Sequence, residues 1–208
     1  MRQTIYILLF FTTFISYCQT ASEYNDRGVE KGRLQDFQGA IIDFNKAIEL
    51  NPYDENFYNN RGLAKAKAQD FYGSMIDFNK TIELNNKFYE AFYNRGLNKY
   101  FLKDFRGAIS DFTEEINNNP NNKKAYYNRG IARYNVNDYQ NSINDFNSAI
   151  AIDPKYGMAF YNRGIDYITL NQKDRACLDW SKAGELGISS AYELIKNNCN
   201  WIFEFFII

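Results

Sequence analysis

Five arginines recur at one interval: Arg27, Arg61, Arg95, Arg129 and Arg163 follow each other by 34 residues, and the last four sit in the same Asn-Arg-Gly triplet. Five aspartates keep the same interval, Asp43, Asp77, Asp111, Asp145 and Asp179, each 16 residues after its arginine. A guanidinium and a carboxylate repeated in step can do one of two things. They can close a forked ion pair, or the arginines can stand in a row before an anionic ligand. Partly buried charges persist only when they are paired, and a ligand site has no use for five matched acids. The expected arrangement is therefore an Arg-Asp pair between two helices of one unit, or between a unit and its neighbour.

The remaining chemistry is sparse. Histidine is absent, which removes the commonest general base, the usual catalytic triads and most zinc sites. The chain has no P-loop, no GxSxG and no Cys/His cluster, and its acids fall at helix caps and at the recurring aspartate position. No enzyme is expected, and neither a cofactor nor a metal. Lysine plus arginine (24) nearly balances aspartate plus glutamate (25), so there is no basic field to draw in nucleic acid. With 45% hydrophobic residues the chain of 208 should fold, as one domain or as a short repeat array.

The elements that must carry the arginines follow from the period. Aligned on the glycine after each arginine, five units appear: 21–54, 55–88, 89–122, 123–156 and 157–190. Counting from the first residue of each unit, position 4 is aromatic (Tyr24, Tyr58, Phe92, Tyr126, Phe160) and position 8 is glycine (Gly28, Gly62, Gly96, Gly130, Gly164). Position 20 is small (Ala40, Ser74, Ala108, Ser142, Ala176), and position 24 is aromatic (Phe44, Phe78, Phe112, Phe146, Trp180). Spaced by three and four, positions 4, 8 and 11 make one stripe of a first helix, and 20, 24 and 27 one stripe of a second. Asp36, Asp70, Asp104 and Asp138 stand where the second helix needs an N-cap, and Pro52, Pro120 and Pro154 where it should stop.

This pattern resembles the tetratricopeptide repeat family, whose period is also 34. The resemblance implies an all-α fold, a right-handed superhelical solenoid of five helical hairpins, and a protein-protein interaction role. It departs from the family at position 7, usually leucine and here Arg, and at position 23, usually tyrosine and here Asp. "DRACLDWSKAGELGISSAYELIKNNC" resembles the closing segment of many bacterial members, which implies a capping helix from about Ser189 to Asn197, within a closing region of residues 191–208. The apolar end of that region, "WIFEFFII", either folds back onto the cap or offers a docking patch.

In the family the concave surface is lined by first-helix positions 2, 5, 6, 9, 12 and 13. The carboxylate clamp known from chaperone cofactors needs a cation at position 5, where this chain has Asn25, Asn59, Tyr93, Tyr127 and Tyr161, so a clamp is not expected. Tyr93, Leu97 and Tyr100 share one helical face, as do Tyr127, Ile131 and Tyr134, then Tyr161 and Ile165. With Asn94, Asn128 and Asn162 they form the candidate groove for a protein or peptide segment; the other reading is that the tyrosines serve packing. A structural part of a cell-envelope assembly, held by its ends or convex face, is the alternative function.

Residues 1–18 read as a signal peptide: Arg2, an apolar stretch from Ile5 to Ile15, then Ser16 and Cys18. Export to the periplasm or medium is expected, with anchoring through this segment or a lipid on Cys18 as alternatives and no membrane span after cleavage. Two cysteines then remain, Cys177 and Cys199. An antiparallel helix pair would bring them together in an oxidising compartment, so a disulfide is expected.

Overall fold

The computed structural model describes residues 19–199, all of them in helices or the turns between. The expected signal peptide at 1–18 and the apolar tail Trp201–Ile208 lie outside the described residues. Eleven helices are present among the described ones: α1 Ala21–Arg33, α2 Phe37–Leu50, α3 Glu55–Lys67, α4 Phe71–Leu84, α5 Tyr89–Phe101, α6 Phe105–Asn118, α7 Lys123–Asn135, α8 Tyr139–Ile152, α9 Gly157–Thr169, α10 Lys173–Glu185 and α11 Ser190–Asn198. Each 34-residue unit is one antiparallel hairpin, and each second helix packs on the first helix of the next unit. First helices also touch one another in succession, α1 with α3, α3 with α5, α5 with α7 and α7 with α9, which sets them on the inside of the curve. None of these helices is long and apolar enough to cross a membrane.

The hairpin closes because nothing stands between its helices at position 8. A Cβ built on Gly28 would lie 2.7 Å from the Phe44 ring, and on Gly164 it would lie 2.5 Å from the indole of Trp180. The rings of Phe78, Phe112 and Phe146 fill the same place in the middle units and are fully buried. Ser74 and Ser142 occupy the small position 20 and donate to the carbonyls of Gly62 and Gly130, so a hydroxyl at this position is satisfied inside the hairpin.

Every first helix ends in the same tight turn. The residue at position 15 takes the left-handed conformation, although none is glycine: Gln35, Gln69, Lys103, Asn137 and Asn171 have φ between +59° and +65°. In unit one the Gln35 amide donates to the Gly32 carbonyl and the Asp36 amide to that of Lys31, which satisfies two of the helix's orphan carbonyls. Asp36, Asp70 and Asp104 then cap the following helix, their side chains accepting from the amides of Gly39, Gly73 and Gly107. Asp138 departs from the sequence expectation. It holds the N-cap position of α8 without a capping bond, because its carboxylate accepts from the Asn141 side chain instead.

The capping helix α11 packs on α10. Cys177 of α10 and Cys199 after α11 are joined by a disulfide with Cα atoms 5.9 Å apart, and both are fully buried.

Candidate functional site

The recurring arginines lie between units, each making several bonds at once. Nε and Nη2 of Arg61 donate to the two carboxylate oxygens of Asp77 at 3.0 and 2.6 Å, while Nη1 donates to Asn45 of the preceding unit at 2.7 Å. The pattern repeats at Arg95 with Asp111 and Asn79, at Arg129 with Asp145 and Thr113, and at Arg163 with Asp179 and Asn147. Arg27, in the first unit, pairs with Asp43 and turns Nη1 to Gln19. Each guanidinium also lies over the ring at position 4 of its own helix, 4.8 Å from Tyr24 and 5.6 Å from Tyr126 at the extremes. The pair is thus within a unit, and the third nitrogen ties that unit to the one before. The arginines are structural, with no fork left over for an anion.

A second cation, absent from the sequence reading, completes four of the five pairs. Lys31, Lys65, Lys99 and Arg133, one turn after each arginine, approach the same aspartates at 2.8, 2.8, 2.9 and 2.8 Å. In unit five that position is Tyr167, so Asp179 has Arg163 alone. Burial pushes the carboxyls of Asp145 and Asp179 above the ordinary range against the pull of their arginines. At Asp43 the hydrogen bond from Arg27 outweighs burial, and the carboxyl is lowered.

On the inner face the tyrosines and asparagines of the candidate groove are coupled across units. Asn128 donates to the Tyr93 hydroxyl and Asn162 to that of Tyr127, both at 2.9 Å. Asn60 and Asn25 make the same bond between units one and two. Asn59 and Asn94 hold the equivalent positions in units two and three, but Asn94 Nδ2 and Asn59 Oδ1 are buried without a partner. Tyr93 and Tyr127 rest on Phe112 and Phe146, and burial pushes both phenols up. Tyr100 packs on Phe105 and Tyr134 on Tyr139. Leu97 joins the apolar cluster around Phe112, Ile131 the one around Phe146, and Tyr161 and Ile165 the one around Trp180.

Of the groove candidates, Ile131, Tyr134, Asn162 and Ile165 come together, with Phe146 beneath, around a hollow of about 100 Å³ between units four and five. Tyr93, Asn94, Leu97 and Tyr100 lie on α5, outside it. A larger hollow, about 260 Å³, opens between units one and two where no candidate had been placed, lined by Val29, Gly32, Phe44, Asn60 and Leu63 among others. Those five residues occupy the same unit positions as the five that line the smaller hollow.

Two segments match family models described as Tetratricopeptide repeat, residues 24–54 and residues 124–156. The chain is a tetratricopeptide repeat protein. No curated protein matches it. Among solved structures it is similar to a crystal structure of MamA, at 22% identity and a TM-score of 0.74 over 79% of this chain and 96% of that one. It is similar to MamA (41-end) from Desulfovibrio magneticus RS-1, at 20% identity and a TM-score of 0.77 over 81% and 96%. A third is YrrB, described as "a TPR protein with an unusual peptide-binding site", at 20% identity and a TM-score of 0.75 over 85% and 92%. These likenesses fix the shared solenoid. Tetratricopeptide repeat proteins bind protein or peptide partners, and among the described residues of this one nothing points to catalysis.

Proposed function

We propose that the protein is an interaction scaffold whose inner face binds a polypeptide segment, with apolar side chains of that segment entering the hollows between first helices. The observation that carries this reading is that Ile131, Tyr134, Asn162 and Ile165, taken from two units, converge on one apolar hollow with an amide at its edge. That is the arrangement an extended or helical segment with apolar anchors requires. The structural neighbour described as having a peptide-binding site supports it by analogy of fold. Asn162 spends its amide hydrogens on Tyr127 and on the Met158 carbonyl, which leaves its carbonyl oxygen as the group to meet a ligand's backbone N–H.

The test starts from peptides selected from a displayed random library on the full chain. Ile165→Arg should weaken their binding roughly 30-fold, as loss of an apolar anchor does, with the circular dichroism spectrum unchanged. Unaltered affinity would overturn inner-face binding. The disulfide between Cys177 and Cys199 supports the reading that the protein works in an oxidising compartment after export. The second reading, a structural part of an envelope assembly, is favoured by the outer face, where Ile42, Ile76 and Leu178 repeat at one position of the second helices and are each more than 60% exposed.

A further inference from the structure

The hollow between units one and two differs from the rest of the inner face in two ways at once. At position 12, where units three to five carry Tyr100, Tyr134 and Ile168, units one and two have Gly32 and Ala66, and Gly32 lines the hollow. At position 13, where units three to five carry Phe101, Asn135 and Thr169, it has Arg33 and Lys67. Both cations line the hollow, and its inner walls are Gly32, Phe37, Phe44 and Leu63. Cations in the last turn of a helix also complement the helix dipole, yet three of the five first helices end without one at this position. Nor are these two engaged in the arginine-aspartate ladder. Lys67 makes no ion pair among the described residues, and Arg33 meets only Glu30 at 3.4 Å, both side chains at least 60% exposed, where such a pair is worth little.

Small residues that open an apolar space and cations that rim it therefore occur together, in these two units alone. Resting on the inner-face reading above, we propose that this hollow is the specificity site of the groove and takes a partner segment that presents one large apolar side chain directly beside a carboxylate. The space of about 260 Å³ admits a side chain of leucine or phenylalanine size. Arg33 and Lys67 receive the acid at the rim, where a charge can stay partly hydrated and its desolvation costs little. Asn60 gives an amide hydrogen to Asn25, so that its carbonyl oxygen is the group left to meet the segment's backbone, as in Asn162 three units along.

Fluorescein-labelled hexapeptide pools with two fixed central residues test this by anisotropy on the full chain. The Phe-Asp pool should bind about tenfold tighter than the Phe-Asn and Ala-Asp pools, with the advantage over Phe-Asn shrinking as salt is raised. A Cβ on Gly32 would meet nothing within 4 Å, so Gly32→Tyr fills the hollow without disturbing the hairpin and should abolish the preference. The double variant Arg33→Glu/Lys67→Glu should turn it toward a Phe-Lys pool. Equal binding of Phe-Asp and Phe-Asn, a preference that survives Gly32→Tyr, or no binding of any pool would overturn the proposal. Ile165→Arg separates the two readings: binding lost there but untouched by Gly32→Tyr leaves inner-face binding standing and removes this site, while binding indifferent to both removes both.

Discussion

The first and last junctions of the solenoid are built from the same positions and come out differently. Between units one and two, Val29, Gly32, Phe44, Asn60 and Leu63 surround about 260 Å³; between units four and five, Ile131, Tyr134, Phe146, Asn162 and Ile165 surround about 100 Å³. The floor is a phenylalanine in both, and so the exchange of Gly32 for Tyr134 accounts for most of the difference, with Tyr139 packed edge-on against the latter. The ladder beneath changes as well. Asp43 holds two cations and Asp179 one, and the last junction alone buries a carboxyl, Asp166, over a serine. One backbone plan thus leaves each junction free to be tuned by two or three side chains.

The largest expected effect sharpens the contrast in the ladder. Arg163→Leu strands Asp179, buried and with no second cation, and should cost about 3 to 5 kcal/mol in urea unfolding. Arg27→Leu removes a more exposed guanidinium and leaves Lys31 on Asp43, and should cost well under half as much. Equal losses would mean that the second cation contributes nothing.

Next comes Asp166, fully buried, with neither oxygen partnered and its carboxyl pushed up to about 7 by burial. Its counterpart two units earlier is Asn98, whose amide donates to Ser74 at 2.8 Å while Ser74 donates to Gly62. Ser142 likewise gives its proton to Gly130, so only a protonated Asp166 can complete the same chain. The charged groups on the helices around it are engaged elsewhere, Arg129 and Arg133 with Asp145 and Arg163 with Asp179. A folded-state value above the unfolded 3.8 means that the native protein binds this proton more tightly, so the contribution of Asp166 to stability is fullest below pH 4, declines as pH rises to about 7 and then levels off. Asp166→Asn removes that decline. Its advantage over the parent should grow across the same window to an order of 2 to 4 kcal/mol, and a gain independent of pH would rule out a protonated acid.

The smallest effect bears on the open hollow itself. Gly32→Ala should stabilise by about 1 kcal/mol, since the glycine is helical and its Cβ enters empty space. Gly130→Ala should destabilise, because there the Cβ lies 2.9 Å from the Phe146 ring. A gain at both positions in thermal melts would show that the rings yield.

Periodicity made most of the fold legible. The hairpin boundaries, the glycine-aromatic contact and the Arg-Asp pair all rest on residues that return every 34 positions, and repetition turns a weak local signal into a strong one. What escaped was of two kinds. The left-handed turn at Gln35 and its equivalents carries no glycine, so the residue types gave no sign of it; tertiary packing of the hairpin imposes it. The partner cations Lys31, Lys65, Lys99 and Arg133 were hidden by lying in a helical stripe already assigned to packing. The groove was read from what fills it, and tyrosines in units three to five drew attention to the closed end. The open end is marked by Gly32 and Ala66, and an absent side chain is visible only against its repeats.

Each arginine of units two to five looks one unit back, to Asn45, Asn79, Thr113 or Asn147, and in unit one Arg27 reaches Gln19 in the same way. The joint is therefore the same coupling at every position along the stack. Excise residues 89–122 in frame and Arg129 meets Asn79 in place of Thr113, an acceptor that already serves Arg95. Insert a copy and the new joint is already specified at both faces. Such a chain can change length only in whole steps of 34 residues, so that the span of its inner face, and with it the length of segment it can hold, is a quantised property open to recombination between repeats.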